Sequence, residues 1–529
     1  MTRAAFGLVA IAFTICMSGS PQVFAKTPSD TLVVAWTFDN MITLDPAESF
    51  EFTTEEVLSN SYQNLVDYDL KNENEIFGVI AQSWTVSPDG KTFSFTIRPD
   101  LKFASGNPIT AADAVYSLSR VVKLDKSPAF ILAQFGLTSQ NVDQKIRQTG
   151  ALTFELEMDK PYNPQILLHS LTASFGAVVD KKLVSSHEQE GDFGHNWLKT
   201  QYAGSGPFKI NEWRANETVV LDRNSHYTGP KPTLARIIYS HIPEPATQRL
   251  LLEKADIDIA RNLTSEHIAA LDKNPEITFA NGPKGAIYYL GLNQKNPHLA
   301  KPQVRQAMKY LIDYVKIAAT IKEGKVSVHQ AFLPHGTFGA LTETPFYLNV
   351  AKAKTLLAEA GLPDGFNVTM DTSNTPEVKT MAQAIQQTMA LAGITLEILP
   401  SNGKQALTKY RARQHDIFFG RWVEDYQDPH SNAVAFASNL DNADQATVKP
   451  LAWRNSWSIP DMTKTVGEAV LERDSDRRKQ IYLDLQTAHQ QNSPFVIMFQ
   501  EIEVLGARSN VKGIVIGPAN RNSFWSVTK

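Results

Sequence analysis

The stretch from Ala81 to Tyr116, AQSWTVSPDGKTFSFTIRPDLKFASGNPITAADAVY, constrains this chain more than any other, because its local signals all agree. Trp84 and Val86 run into Ser87-Pro88-Asp89-Gly90, where proline presets one turn dihedral and glycine permits a positive one. Phe93, Phe95 and Ile97 then alternate with Thr92, Ser94 and Thr96, the period-two pattern of a half-buried strand, which predicts a β-hairpin. Thr110 stands just ahead of Ala111-Ala112-Asp113, so a hydroxyl and a carboxylate are placed to satisfy the first free amides of a helix as a capping box. Hairpin, loop and capped helix are therefore expected in that order.

The same grammar recurs elsewhere. Strand-like runs at Thr31 to Trp36, Leu152 to Met158 and Thr218 to Leu221 alternate with helical patterns, which predicts an α/β fold. Val350, Ala353, Leu356, Leu357 and Ala360 fall at helical spacing, with Gly361 where a left-handed C-cap is wanted and Pro363 beyond it. Met381 to Ala392 reads as a helix stopped by Gly393, followed by strands at Ile394 to Leu399 and Asp416 to Gly420. No internal repeat, low-complexity tract or long flexible linker is visible, so lobes crossed several times by the chain are expected in place of tethered modules.

The N-terminus carries Arg3, an apolar run from Ala4 to Met17 broken by Thr14, and the small-residue site Val23-Phe24-Ala25. This is read as a cleavable Sec-type signal peptide, residues 1–25, and not as a lipid anchor, since Phe13-Thr14-Ile15 precedes Cys16. Its removal subtracts Arg3 and the only cysteine, taking the net charge from −4 to −5 and excluding disulfides and cysteine metal sites. A mildly acidic surface excludes the basic footprint of a nucleic-acid binder. The twelve histidines are dispersed, with no pair at the spacing of a helical zinc motif, so neither metal nor cofactor is expected. Gly204-Ser205-Gly206-Pro207 reads as a tight turn before a strand and not as a nucleophile elbow.

These segments together resemble the family 5 extracellular solute-binding proteins, the periplasmic receptors of bacterial dipeptide, oligopeptide and nickel ABC importers. Besides Ala81 to Tyr116, the resemblance rests on Leu44-Asp45-Pro46, Gly204 to Phe208, Leu221-Asp222-Arg223-Asn224 with Tyr227, Val304 to Ala307 with Asp313, Ala353 to Phe366, and Trp422 to Pro429, WVEDYQDP. It implies a two-lobed "Venus flytrap" with an extra domain inserted in the first lobe. Lobe one would hold 26–60, 185–283 and 505–529, the inserted domain 61–184, and lobe two 284–504, with crossings near Tyr288 to Leu292 and Phe499 to Ile502. It further implies a monomeric periplasmic receptor, not an enzyme, that delivers a peptide to a membrane permease and its ATPase.

By position, Asp425, three residues after Trp422, corresponds to the aspartate that receives a peptide α-ammonium, and a desolvated carboxylate suits three ammonium donors. The open alternative is a turn-capping Asp425, with Asp428-Pro429 closing the loop. Trp422 and Tyr426 are candidates for an aromatic wall. Arg421 and Arg454 are candidates for a ligand carboxylate, or else intramolecular ion-pair residues. Phe50, Glu51 and Phe52 lie where family members run along the ligand, or are ordinary core. Strict dipeptide receptors place a carboxylate-clamping arginine where this chain has Thr372, so a murein peptide, an opine or a metal chelate stays open as cargo. A secreted hydrolase and a periplasmic chaperone are the readings from other classes.

Overall fold

Two long antiparallel strands, Ile277–Leu292 and Phe495–Arg508, form the spine of an eleven-stranded sheet. They are seen in a computed structural model that describes residues 27–529 except Lys71 and Asn520. The signal-peptide reading of 1–25, with Cys16, lies outside the described residues. Ile277 to Pro283 pairs with Ile502 to Arg508, and Ile287 to Gly291 pairs with Phe495 to Gln500. Between them the ladder breaks at Lys284-Gly285-Ala286, upstream of the Tyr288 to Leu292 run singled out in the sequence.

On one side of this break the sheet continues through Ile259–Ala260, Thr31–Trp36, Arg236–His241, Thr218–Arg223 and Phe208–Arg214. On the other it continues through Ile417–Trp422, Asn367–Ser373 and Thr395–Ser401. Here both faces are covered, which is why the strand Ile287 to Leu292 is apolar without alternation. Tyr288, Leu290 and Leu292 pack with Val304, Leu357 and Met381 of the helices Pro302–Lys309, Val350–Glu359 and Pro376–Ala390. Ile287 and Tyr289 pack with Tyr410, Phe436 and Tyr482 of Gly403–Arg411, Pro429–Ala437 and Ser475–Asn492. The helix expected from Met381 begins earlier, because Pro376 occupies its first turn, where a missing N–H costs nothing.

The hairpin folds as expected, with Ala81–Val86 against Thr92–Ile97 and Gly90 at φ +75°. It belongs to a separate four-stranded sheet completed by Thr153–Glu157 and Ile146–Gln148. Phe93, Phe95 and Ile97 are buried against Ala114, Leu118 and Val121 of the helix Ala111–Leu124. That helix starts in its capping box, the Asp113 carboxylate accepting from the Thr110 N–H at 2.8 Å and the Thr110 hydroxyl at 2.7 Å.

Two of the motifs carry structure. Asp45 of Leu44-Asp45-Pro46 accepts both arms of the buried Arg120 guanidinium, at 2.6 and 2.5 Å, tying the segment after Thr31–Trp36 to the helix Ala111–Leu124. Gly206 sits so close to the Ser61 backbone that a Cβ would lie 2.4 Å from it, and Ser205 is fully buried, the turn expected of this segment and a poor place for a nucleophile.

Candidate ligand-binding site

A cavity of about 330 Å³ opens at the carboxyl end of Ile417–Trp422, where α/β sheets present ligand sites. Segments distant in sequence border it: Phe50 to Phe52, Thr172-Ala173, Leu407 with Arg411, Arg421 to Gln427, Arg454 and Arg521. All eight candidate residues of the sequence, Phe50, Glu51, Phe52, Arg421, Trp422, Asp425, Tyr426 and Arg454, thus converge on one space.

Their situations differ. Phe50 and Phe52 are 41% and 39% exposed, so the reading of these rings as ordinary core does not hold. Phe50 meets Phe130 edge-on and Phe52 lies under the Arg421 guanidinium at 5.3 Å. Arg421 donates to Glu501 at 2.6 Å, so the intramolecular ion pair is made. Trp422 is held by its indole N–H on Asn432 Oδ1 at 2.8 Å and by the edge of Phe436. Tyr426 borders the cavity, but its ring belongs to the core of the four-stranded unit and its hydroxyl is bonded to Gln134 at 3.1 Å. Desolvation raises the Glu51 carboxyl above its ordinary range.

Asp425 is the most unusual. Its backbone N–H is bonded to Ser431 Oγ, whereas its carboxylate has no hydrogen-bond or ion-pair partner among the described residues. Desolvation, reinforced by neighbouring Glu424, pushes it up to about 7 against the pull of Arg454. Asp428 closes the loop, as expected of Asp428-Pro429. It accepts from the His430 N–H at 2.9 Å as N-cap of Pro429–Ala437 and holds buried Arg478 at 2.7 Å.

Thr372 is fully buried near the end of Asn367–Ser373 with its hydroxyl unpartnered, and is not among the residues bordering the cavity. Sequence reasoning missed Arg411 and Arg521, whose neighbours in the chain give no sign of a cavity. It also missed Glu424, bonded to Gln427 at 2.7 Å and pressed on the backbone of Gly285 at the ladder break. A Cβ on Gly285 would fall 1.8 Å from a Glu424 oxygen. Gly285→Ala is therefore expected to push the Glu424 carboxylate, the movable end of a flexible side chain, off the ladder break with little loss in urea unfolding, and to change ligand affinity measured by calorimetry.

A buried charge network spans the same break. Lys284 reaches Glu503 at 2.8 Å and the Gly517 carbonyl at 2.8 Å, while Arg261 is paired to both Glu503 and Glu56. Burial alone would raise Glu503, but Arg261 and Lys284 hold it well below the usual carboxylate range. No group of three or more metal-ligating side chains occurs among the described residues, although His329 and His335 meet ring to ring at 3.1 Å. No described helix is long and apolar enough to cross a membrane.

A bilobal sheet crossed at one break, with a charged cavity beside it, is the architecture of a solute-binding protein. The chain belongs to the bacterial extracellular solute-binding proteins, family 5, whose model matches residues 75–444. It is 27% identical over 508 residues, 95% of each chain, to the probable D,D-dipeptide-binding periplasmic protein DdpA of Escherichia coli K12. It is 26% identical over 515 residues to the nickel-binding periplasmic protein of the same organism, covering 92% of this chain and 90% of that one. Among solved structures, the ABC transporter-associated periplasmic binding protein DppA of Helicobacter pylori, in complex with the peptide STSA, superposes with a TM-score of 0.78 at 25% identity. That match covers 94% of this chain and 98% of that one. These relatives are binding proteins, and the family is that of ABC-importer receptors.

Proposed function

We propose that this chain is a periplasmic receptor that captures a short peptide-like solute in the cavity around Asp425, its lobes closing on it, and delivers it to an inner-membrane permease driven by an ATPase. The observation that carries the reading is the Asp425 carboxylate, desolvated, unpartnered and bordering the cavity. A ligand ammonium supplies the missing charge and donors. The relatives named for D,D-dipeptide binding and for a bound tetrapeptide support a peptide-like ligand. At about 330 Å³ the space is at the small end for ligand sites, which favours a cargo of a few residues. Thr372 in place of the carboxylate-clamping arginine of strict dipeptide receptors favours an amphoteric compound other than a strict L-dipeptide, a murein peptide or opine included. The four-stranded unit would be the inserted domain and the break at Lys284 to Ala286 the hinge.

The titration of Asp425 gives a test. In the empty protein its folded value lies above that of the unfolded chain, so this group subtracts stability as pH rises from about 4 to 7. A bound ammonium requires the ionised form. Affinity for a free-amine peptide is therefore expected to fall by up to about tenfold per pH unit below 7 and to level off above it. Calorimetry of a peptide panel in buffers of different ionisation enthalpy reads the linked proton release. Binding that releases no proton near pH 6 would remove Asp425 from the contact.

A further inference from the structure

Four arginines border the cavity, Arg411, Arg421, Arg454 and Arg521. Arg421 is bonded to Glu501 at 2.6 Å, and Arg521 grips Asp67 with both arms at 2.8 Å. Arg411 and Arg454 differ, since neither has an ion pair or a side-chain hydrogen bond among the described residues. Arg454 ends the short helix Leu451–Arg454, its Nε is buried without a partner, and its guanidinium lies 5.5 Å from the ring centre of Tyr410. Arg411 closes Gly403–Arg411, a helix packed on Asn367–Ser373 and pinned there by Lys409 on Asp371 at 2.8 Å. Both border the same cavity without a counter-ion among the described residues, and desolvation, then the charge of Arg454, draw Arg411 below its usual value. Arg411 is exposed, but Arg454 Nε is a buried donor left unbonded, which is costly, and a like charge at the same cavity adds to the cost.

We infer that Arg454 and Arg411 together form an anion seat that takes a carboxylate of the ligand. The fork of donors on each guanidinium suits a planar carboxylate, and an anion there satisfies Arg454 Nε while cancelling the repulsion. The Asp425 carboxylate feels Arg454 but is not bonded to it, so an acidic and a basic pole face one space without neutralising each other. The ligand class is accordingly a compact zwitterion whose cationic and anionic ends are held by different side chains. The inference rests on the receptor reading for the existence of a ligand, and on the two arginines alone for its carboxylate.

Three probes separate the two poles: L-alanyl-L-alanine, its N-acetyl derivative, which keeps only the carboxylate, and its C-terminal amide, which keeps only the ammonium. The D,D-isomers form a parallel set. Calorimetry with the full chain is expected to show the free acid binding at least about tenfold more tightly than the amide. R454Q should abolish that gap, R454K restore part of it, and R411Q narrow it. Circular dichroism should be unchanged in all three, since these side chains make no bond that holds the fold. Arg454-dependent binding of the N-acetyl probe supports the seat even if the ammonium contact at Asp425 fails. An amide that binds as tightly as the acid, or a gap that survives in the R411Q/R454Q double variant, overturns the seat and leaves the receptor reading standing. A wild-type chain that binds none of the probes in either chirality overturns the seat, whose compact zwitterion they represent, and leaves the receptor reading to murein peptides and opines.

Discussion

Asp425→Asn is expected to lower the affinity for a free-amine ligand by about 3–5 kcal/mol, roughly two to three and a half powers of ten, while leaving the empty protein at least as stable above pH 7. The two effects have opposite signs for one reason. In the unliganded cavity the carboxylate is desolvated, crowded by Glu424 and unbonded, so replacing it with a neutral amide removes a cost. In the complex the same carboxylate is the counter-ion of a desolvated ammonium, and removing one member of such a pair leaves the other stranded. Titration calorimetry against a peptide and its N-acetyl derivative measures the first effect, and urea unfolding at pH 8 the second. An Asp425→Asn variant that binds free-amine peptides with unchanged affinity would sink the assignment. One that unfolds more easily at pH 8 would show that Asp425 has a structural partner.

The largest effect on stability is expected at Asp45. Its pair with Arg120 is closed to solvent on both sides, so Asp45→Ala strands a guanidinium inside the protein and should cost about 3–5 kcal/mol. The double variant Asp45→Ala with Arg120→Met should recover much of that loss, because no buried charge remains uncompensated. A double-mutant cycle by urea unfolding checks the coupling. Additive losses would mean that the pair is not the reason the motif destabilises when broken. Asp45 and Arg120 lie on opposite sides of the contact between the large sheet and the four-stranded unit, so the cycle also reports how firmly these parts are joined.

Much of the local structure follows from neighbours in the chain. The hairpin around Gly90, the capped start of Ala111–Leu124, the Gly361 stop after Val350–Glu359 and the strand Thr31–Trp36 are decided within a few residues by dihedral preference, capping and periodicity. The ordered motifs identified the family for the same reason, since each is a local solution to a turn or cap. Even the cavity's location was legible, because Trp422 to Pro429 follows an apolar strand whose carboxyl end had to face something.

Which charges are used up, by contrast, was not legible, because electrostatic partners are set by folding and not by spacing. Arg421 and Arg454 look alike in the sequence, yet one meets Glu501 and the other is paired to no carboxylate among the described residues. Asp425 and Asp428 stand three residues apart, and only the second is satisfied, by an arginine fifty positions later in the chain. Arg411 is an ordinary cation in the last turn of a helix until the fold brings it to the same cavity as Arg454. Element types, their order and the family are thus written in short stretches of chain, where capping and periodicity act between neighbours. Which ionisable groups are left without a partner around one cavity is a property of the folded whole, because burial and pairing depend on contacts hundreds of residues apart.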